Sequence, residues 1–228
     1  MAVVPAEAFG TNCYVLAPAA GEQCVVVDPG IGITRQLDDV LAEHRLQPVA
    51  VLLTHGHLDH TFSVAPVCGA RGIPAYVHPD DRELLDDPAK GLSADMNRLF
   101  GGRLPYTAPD DVKALNDGET ITLAGLEVTV DHAPGHTGGS VMFRLPGAEG
   151  ESLLSGDVLF AGSIGRTDLP GGDLTAMLRS LRDKVLPLPD TTRVLPGHGP
   201  STTIGRERQT NPYLREVTRQ LAPPTKGL

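Results

Sequence analysis

Tryptophan is missing from the sequence, and aromatic residues make up only 4% of it. That is too few for the stacking platforms on which single-stranded nucleic acid is held. Positive charge is also short: 19 Lys and Arg stand against 28 Asp and Glu, a formal net charge of -9. No phosphate-neutralising surface and no basic patch for an anionic membrane is expected from that balance. Cysteine is sparse. Cys13, Cys24 and Cys68 show no Cys-x-x-Cys spacing, which argues against both a disulfide framework and a zinc–thiolate site. Their apolar neighbours mark them as small core residues, reduced as in the cytoplasm. No apolar run approaches the ~20 residues of a membrane span. Met1 to Pro5 lacks the basic-then-apolar order of a secretory leader, so a cytoplasmic protein is expected.

What is abundant is punctuation. The 26 Gly and 20 Pro are aperiodic and separate short apolar segments, as turns do in a compact fold. A chain of 228 residues can bury about 70% of its unfolded surface, and no linker divides it, so one domain over 1–228 is expected. Thr11 to Ala17 and Gln23 to Val27 read as a hairpin. Thr34 is placed to cap a helix from Arg35 to His44. Val49 to Leu53 reads as a buried strand, a helix follows from near Asp59 to Cys68 with Gly69 as its C-cap, and Ala75 to His78 is a short strand. Strands are expected at Glu119–Leu123, Leu126–His132, Ser140–Leu145, Ser152–Ser155 and Thr192–Leu195. Helices are expected at Asp173–Val185, Ile204–Arg208 and Pro212–Leu221. Between them, Leu92, Met96, Leu99 and Phe100 recur at helical spacing inside the irregular stretch 86–111. Core packing is the first reading of that patch, and a lid over a cleft is the second. Helix and strand alternate in each half, which suggests two packed sheets with helices outside, an α/β layering.

One stretch is dense in donors. Thr54-His55-Gly56-His57-Leu58-Asp59-His60 puts three imidazoles and a carboxylate directly after a buried strand. Side by side without a cation these groups gain little, whereas a divalent metal suits neutral imidazole and carboxylate together. Three further strand ends each add one donor: His136 in Pro134-Gly135-His136, Asp157 in Ser155-Gly156-Asp157, and His198 in Pro196-Gly197-His198. Singly each is an ordinary turn. Together all seven lie just past strand ends, where α/β folds build sites.

The order His55-x-His57-x-Asp59-His60, His136, Asp157, His198 resembles the metallo-β-lactamase superfamily, and the likeness spans essentially the whole chain. It implies a four-layer αβ/βα sandwich with two divalent metal ions between the sheet edges, zinc first and iron or manganese as substitutes. His55, His57 and His136 would hold one ion, Asp59, His60 and His198 the other, and Asp157 would bridge them. Within that group the segments Gly156 to Asp168 and Pro196 to Gly205 look like glyoxalase II of the short bacterial type. That likeness implies a thioesterase cleaving a small 2-hydroxyacyl thioester such as lactoylglutathione, by attack of a metal-bound hydroxide that Asp59 helps to orient. Asp59 also excludes the lactamases that carry Cys at this place.

There are departures from the longer glyoxalase II enzymes. The chain ends about 30 residues after His198; in the longer enzymes a helical domain follows and supplies basic residues for glutathione. Arg206, Arg208, Arg215 and Arg219 are the basic candidates here. Arg166 stands where those enzymes carry a Lys; it can clamp a substrate carboxylate or simply pair with Asp168. The thiol carrier therefore stays open. Two other readings stand beside the hydrolase. One is a persulfide dioxygenase with a single iron on His55, His136 and Asp157. The other is a non-catalytic metal-binding module.

Overall fold

The computed structural model describes residues 1–99, 106–147 and 150–221. Its first sheet runs in sequence order: β1 (Ala2–Pro5), β2 (Asn12–Leu16), β3 (Gln23–Val27), β4 (Gln47–Leu52), β5 (Ala75–Val77) and β6 (Val112–Ala114). Strands β1 to β3 pair antiparallel and β3 to β6 parallel. The second sheet holds β7 (Thr120–Leu123), β8 (Leu126–His132), β9 (Val141–Leu145), β10 (Ser152–Gly156), β11 (Arg193–Pro196) and β12 (Thr202–Thr203), again in order. It is antiparallel except between β10 and β11.

The strands read as continuous apolar runs because both of their faces are covered. Successive side chains alternate sides. In β2 and β3, Cys13, Val15, Cys24 and Val26 point to the outer helices, while Tyr14, Leu16, Val25 and Val27 point to the other sheet. The second sheet mirrors this. Met142, Leu153 and Val194 face its helices, while Phe143, Leu154 and Leu195 enter the inter-sheet core.

Helices α1 (Thr34–His44), α3 (Val64–Gly69) and α4 (Arg82–Asp86) cover the first sheet through Leu37, Leu41, Val64, Val67 and Leu85. The short α2 (Leu58–Thr61) lies at the sheet's edge, and α5 (Ala94–Leu99) follows α4. Helices α6 (Leu174–Ser180), α7 (Ile204–Thr210) and α8 (Pro212–Leu221) cover the second sheet through Met177, Ile204, Leu214 and Val217. This is the four-layer α/β sandwich expected. Each fully buried Leu, Val or Phe contributes roughly 1.5–3 kcal/mol, and Phe143→Ala in the middle layer would cost about 3–5 kcal/mol.

Several elements differ from expectation. The helix from Asp59 to Cys68 is two helices, broken at Phe62 and Ser63. Pro66 has no N–H for the Phe62 carbonyl, and its ring crowds that carbonyl. Ser63 turns instead to the β3 exit, donating its N–H to the Pro29 carbonyl (3.1 Å) and its hydroxyl to that of Gly30 (2.6 Å). Thr34 does not cap α1; Ile33 occupies the cap without a side-chain bond, and left-handed Arg45 (φ 55°) ends the helix. Gly69 is the last residue of α3 and Ala70 its cap. Asp173 does cap α6, accepting from the N–H groups of Thr175 and Ala176. The expected helix continues over Leu181–Val185 as a wider π turn. Strands β1, β6 and β12 were not expected; all three are short edge strands defined by a neighbour rather than by their own pattern. No helix among the described residues is long and apolar enough to cross a membrane.

Candidate metal centre

The donors meet because four strands end at one edge of the sandwich. His55 to His60 follow β4, His136 follows β8, Asp157 follows β10 and His198 follows β11. Backbone bonds pin the two sheets together there. Asn12 N–H donates to the Gly197 carbonyl (2.7 Å), and Val141 N–H donates to that of Thr54 (2.7 Å). Glycine is required where the chains crowd: a Cβ on Gly197 would meet Asp157 Oδ1 and His60, and one on Gly165 would meet the Asp157 carbonyl.

Three groups of donor atoms result, each within 4.8 Å: His55, His57 and His136; His55, His60 and Asp157; Asp59, His60 and His198. His57 Nδ1 lies 2.9 Å from His136 Nε2, and His60 Nε2 lies 3.1 Å from His198 Nε2. Asp157 sits between them, 3.4 Å from His60, 3.5 Å from His136 and 3.6 Å from His198.

The hydrogen bonds behind the rings fix their tautomers. Thr54 hydroxyl donates to Asp28 (2.6 Å), so it can accept from His55 Nδ1 (3.1 Å). His136 Nδ1 donates to the Arg166 carbonyl (2.7 Å), His198 Nδ1 to that of Phe9 (3.1 Å), and His60 Nδ1 to Asp28 (2.9 Å). With Nδ1 engaged on the outside, all four turn Nε2 inward, the nitrogen that metal-ligating histidines with a bonded outer nitrogen present to the ion. His55 Nε2 and Asp157 Oδ1 are buried without a hydrogen-bond partner, and orphans of that kind call for an ion. The donor set therefore fits divalent metal ions.

Electrostatics agree. Burial, then the nearby histidines, push His55 well below its usual value. Burial and His136 push His57 down to about 3. Both rings are neutral at any physiological pH. Burial would also lower His60, yet Asp157, Asp59 and Asp28 outweigh it and raise the ring to about 10. Burial opposes ionisation of Asp59, but His60 and His198 hold it well below the carboxylate range. The carboxylate-rich side of the cluster thus demands positive charge, which a metal ion supplies without a proton.

Comparison with known proteins decides the family. The family model of the metallo-beta-lactamase superfamily matches residues 6–198. The chain belongs to that superfamily. An uncharacterized protein of Mycobacterium tuberculosis is 48% identical over 94% of this chain and 97% of its own. A hydroxyacylglutathione hydrolase of Haemophilus influenzae is 34% identical over 93% and 96%. Among solved structures, the BLEG-1 B3 metallo-beta-lactamase shares 41% identity at a TM-score of 0.82, covering 93% of this chain and 98% of that one. TTHA1623 in a di-iron-bound form shares 39% at 0.78, covering 94% and 100%.

In this superfamily member two carboxylates behind the donors were not anticipated. Asp28 accepts from Thr54 N–H (2.8 Å), the Thr54 hydroxyl and His60. Asp81 accepts from Gly56 N–H, Gly139 N–H and the Thr137 hydroxyl, each at 2.7 Å. It thereby ties the His55–His57 loop to the His136 loop. The only cue was that Asp28 ends a strand before Pro29-Gly30. Arg166 is an exposed side chain in a two-point pair with Asp168 (2.8 Å each). Its carbonyl is the part that touches a donor. The tail arginines are absent from the described lining of the cleft. Arg208 instead bonds the Leu186 and Leu188 carbonyls. The thiols of Cys24 and Cys68 are pushed by burial to about 11 and about 12, which leaves them inert core residues.

A cleft of about 230 Å³ opens beside His57 and Asp59, walled by Phe9, Ile31, Leu92, Met96 and Leu169. Leu92 and Met96 thus face the cleft rather than the core first expected for them. Phe100 lies outside the described residues, as does the side chain of Leu99. A fourth group, His78, Asp80 and His132, also has donor atoms within 4.8 Å. Its rings stack face to face, 3.9 Å apart and 8° from parallel, so one metal ion cannot lie in both ring planes.

Proposed function

We propose that this metallo-hydrolase cleaves a small 2-hydroxyacyl thioester to a hydroxy acid and a free thiol. The observation that carries the metal chemistry is the set of four tautomer-locked histidines aimed at one carboxylate-bearing centre. On this reading His55, His57 and His136 hold one divalent ion, Asp59, His60 and His198 the other, and Asp157 is shared. When bound, such a pair polarises a carbonyl oxygen and lowers the pKa of water from 15.7 toward ~7. Zinc suits these donors, as do iron and manganese; the di-iron form of a 39% identical protein supports iron as the substitute.

The chain's own residues do the rest. Asp59 lines the cleft and is held ionised by His60 and His198, so its carboxylate can accept a hydrogen bond from the attacking water and aim it. Asp157 keeps the two donor groups in register. The apolar walls keep bulk water from the scissile bond. A thiolate leaves without a strong protein acid, and none lies in the described lining of the cleft. The thioester part of the reading is supported by the 34% identical hydroxyacylglutathione hydrolase.

The test is hydrolysis of S-lactoylglutathione by protein loaded separately with zinc, iron and manganese. Rate should scale with metal content. No turnover of this ester or of other small-thiol esters would overturn the reading. β-Lactam ring opening is the second reading, favoured by the 41% identical B3 enzyme; the absence of Cys at Asp59 does not exclude that class. β-Lactam turnover without thioester turnover would replace the proposal. Oxygen uptake with glutathione persulfide would replace it with the one-iron reading. That reading gives no role to the fully assembled group of Asp59, His60 and His198.

A further inference from the structure

Building on the thioesterase reading, we infer that the cleft takes an uncharged, apolar thiol arm in preference to the anionic glutathione arm. The cavity of about 230 Å³ lies below the ~300–1,000 Å³ that encloses a whole drug-sized ligand. It has room for the acyl group and the near end of the arm. What meets that end is Ile31, Leu92, Met96 and Leu169, and an apolar wall rewards added apolar length while penalising a charge brought against it.

Glutathione brings two carboxylates and one ammonium group. Among the described residues lining the cleft Arg166 is the one cation, and Asp168 engages it through Nε and Nη2 at 2.8 Å each. The pair is neutral. The formal net charge of -9 adds nothing that attracts an anion.

Phe9 points the same way. It is a bulky residue in left-handed conformation (φ 62°), followed by left-handed Gly10 (φ 66°). Non-glycine residues adopt that region only where surroundings hold them. Here the turn is closed by Ala6 N–H on the Thr11 carbonyl (2.8 Å), and the Phe9 carbonyl is taken by His198. The result is an aromatic side chain standing 59% exposed at the cleft rim, placed to cover an apolar arm as it leaves the cavity.

Three lactoyl thioesters test this: those of N-acetylcysteamine, N-hexanoylcysteamine and glutathione. The first two share one leaving-group chemistry and differ only in apolar length. With the metal-loaded protein, the hexanoyl ester should show about a tenfold higher kcat/KM than the acetyl ester, the low end of the ~10–200-fold that a hydrophobic pocket draws from one methylene. It should also exceed the glutathione ester. Met96→Ser and Phe9→Ser should each pull the hexanoyl-to-acetyl ratio toward one while bound metal stays constant. A glutathione ester faster than both neutral esters overturns the apolar subsite and leaves the thioesterase standing. A hexanoyl-to-acetyl ratio near one in the unmodified protein also overturns it. No turnover of any of the three overturns both.

Discussion

The two donor groups at this centre are built differently. His55, His57 and His136 are buried and backed by uncharged partners, the Thr54 hydroxyl behind His55 and the Arg166 carbonyl behind His136. Asp81 clamps their two loops together. In the other group His60 is buried, but Asp59 and His198 have 26% of their side-chain surface exposed. That group leans on charge, with Asp28 behind His60, and on a strained turn behind His198. On the proposed assignment the first group would hold its ion by imidazoles alone and the second by carboxylate charge, and His57 and Asp59 bring one residue of each to the cleft.

The largest effect should come from the residue the two groups share. Asp157→Ala should strip metal from both sides, and turnover should fall by more than the ~100-fold that losing an outer partner costs. His57→Ala should empty the first group and stop turnover as well. Metal analysis beside a rate assay checks both; full metal and full rate in either variant would remove that residue from the ligand set. Asp28→Asn sharpens the comparison. Asn tolerates the left-handed backbone at this position (φ 50°), but it removes the charge and one acceptor that Thr54 and His60 share. Affinity of the second ion should drop ~10–100-fold, and that of the first, which meets Asp28 only through Thr54, by less. Equal loss of both ions would show that the groups are not independently supported.

Asp81→Ala tests the other side. It leaves the Gly56 and Gly139 N–H groups and the Thr137 hydroxyl without their acceptor. Unpaired buried groups cost about 1–3 kcal/mol each. A loss of about 3 kcal/mol, or roughly 6–12 °C in Tm for a chain of this size, is expected from thermal melts. The first ion should weaken with it and the second should not.

The contrast between the groups also marks what could be read from the chain alone. The donors were legible because each follows a strand buried on both faces, and four of them fall in one six-residue stretch. Their supports were not. Asp28 and Asp81 stand 26 and 25 residues from Thr54 and Gly56, and neither an Asp that ends a strand before proline nor one in a helix's opening turn signals a partner so far along the chain. Phe9 gave no sign of a left-handed backbone beyond the Gly after it. The long helix expected after Asp59 failed on Pro66, whose missing N–H outweighed an otherwise helical pattern. Leu92 and Met96 have a helical spacing that serves a core or a cleft equally, and only the position of α5 beside His57 separates the two uses.

The smallest effect concerns pH and reaches the first group through its clamp. The stacked rings of His78 and His132 flank Asp81. His78 accepts a bond from Asp80 N–H (3.3 Å), and its carbonyl takes the N–H of Asp81 (3.0 Å). His132 Nε2 bonds the carbonyl of Gly138 (2.8 Å), one residue before the Gly139 that Asp81 holds. Burial, then the facing His132, keep the His78 pKa below its usual 6.5, against the opposing pull of Asp80, Asp81 and Asp117. The unfolded chain therefore binds a proton at higher pH than the folded one, and stability falls as pH drops through about 6.5. Above that point the ring is neutral in both states and contributes no slope. The ring is partly hydrated and its charge screened, so the drop in Tm between pH 7 and 5 assigned to it should stay under ~4 °C, the shift that ~1 kcal/mol gives in a chain this long. His78→Gln should remove that part of the acid slope. If the slope persists unchanged in the variant, the stack is not what couples acid to the clamp, and the first group's advantage over the second does not depend on it.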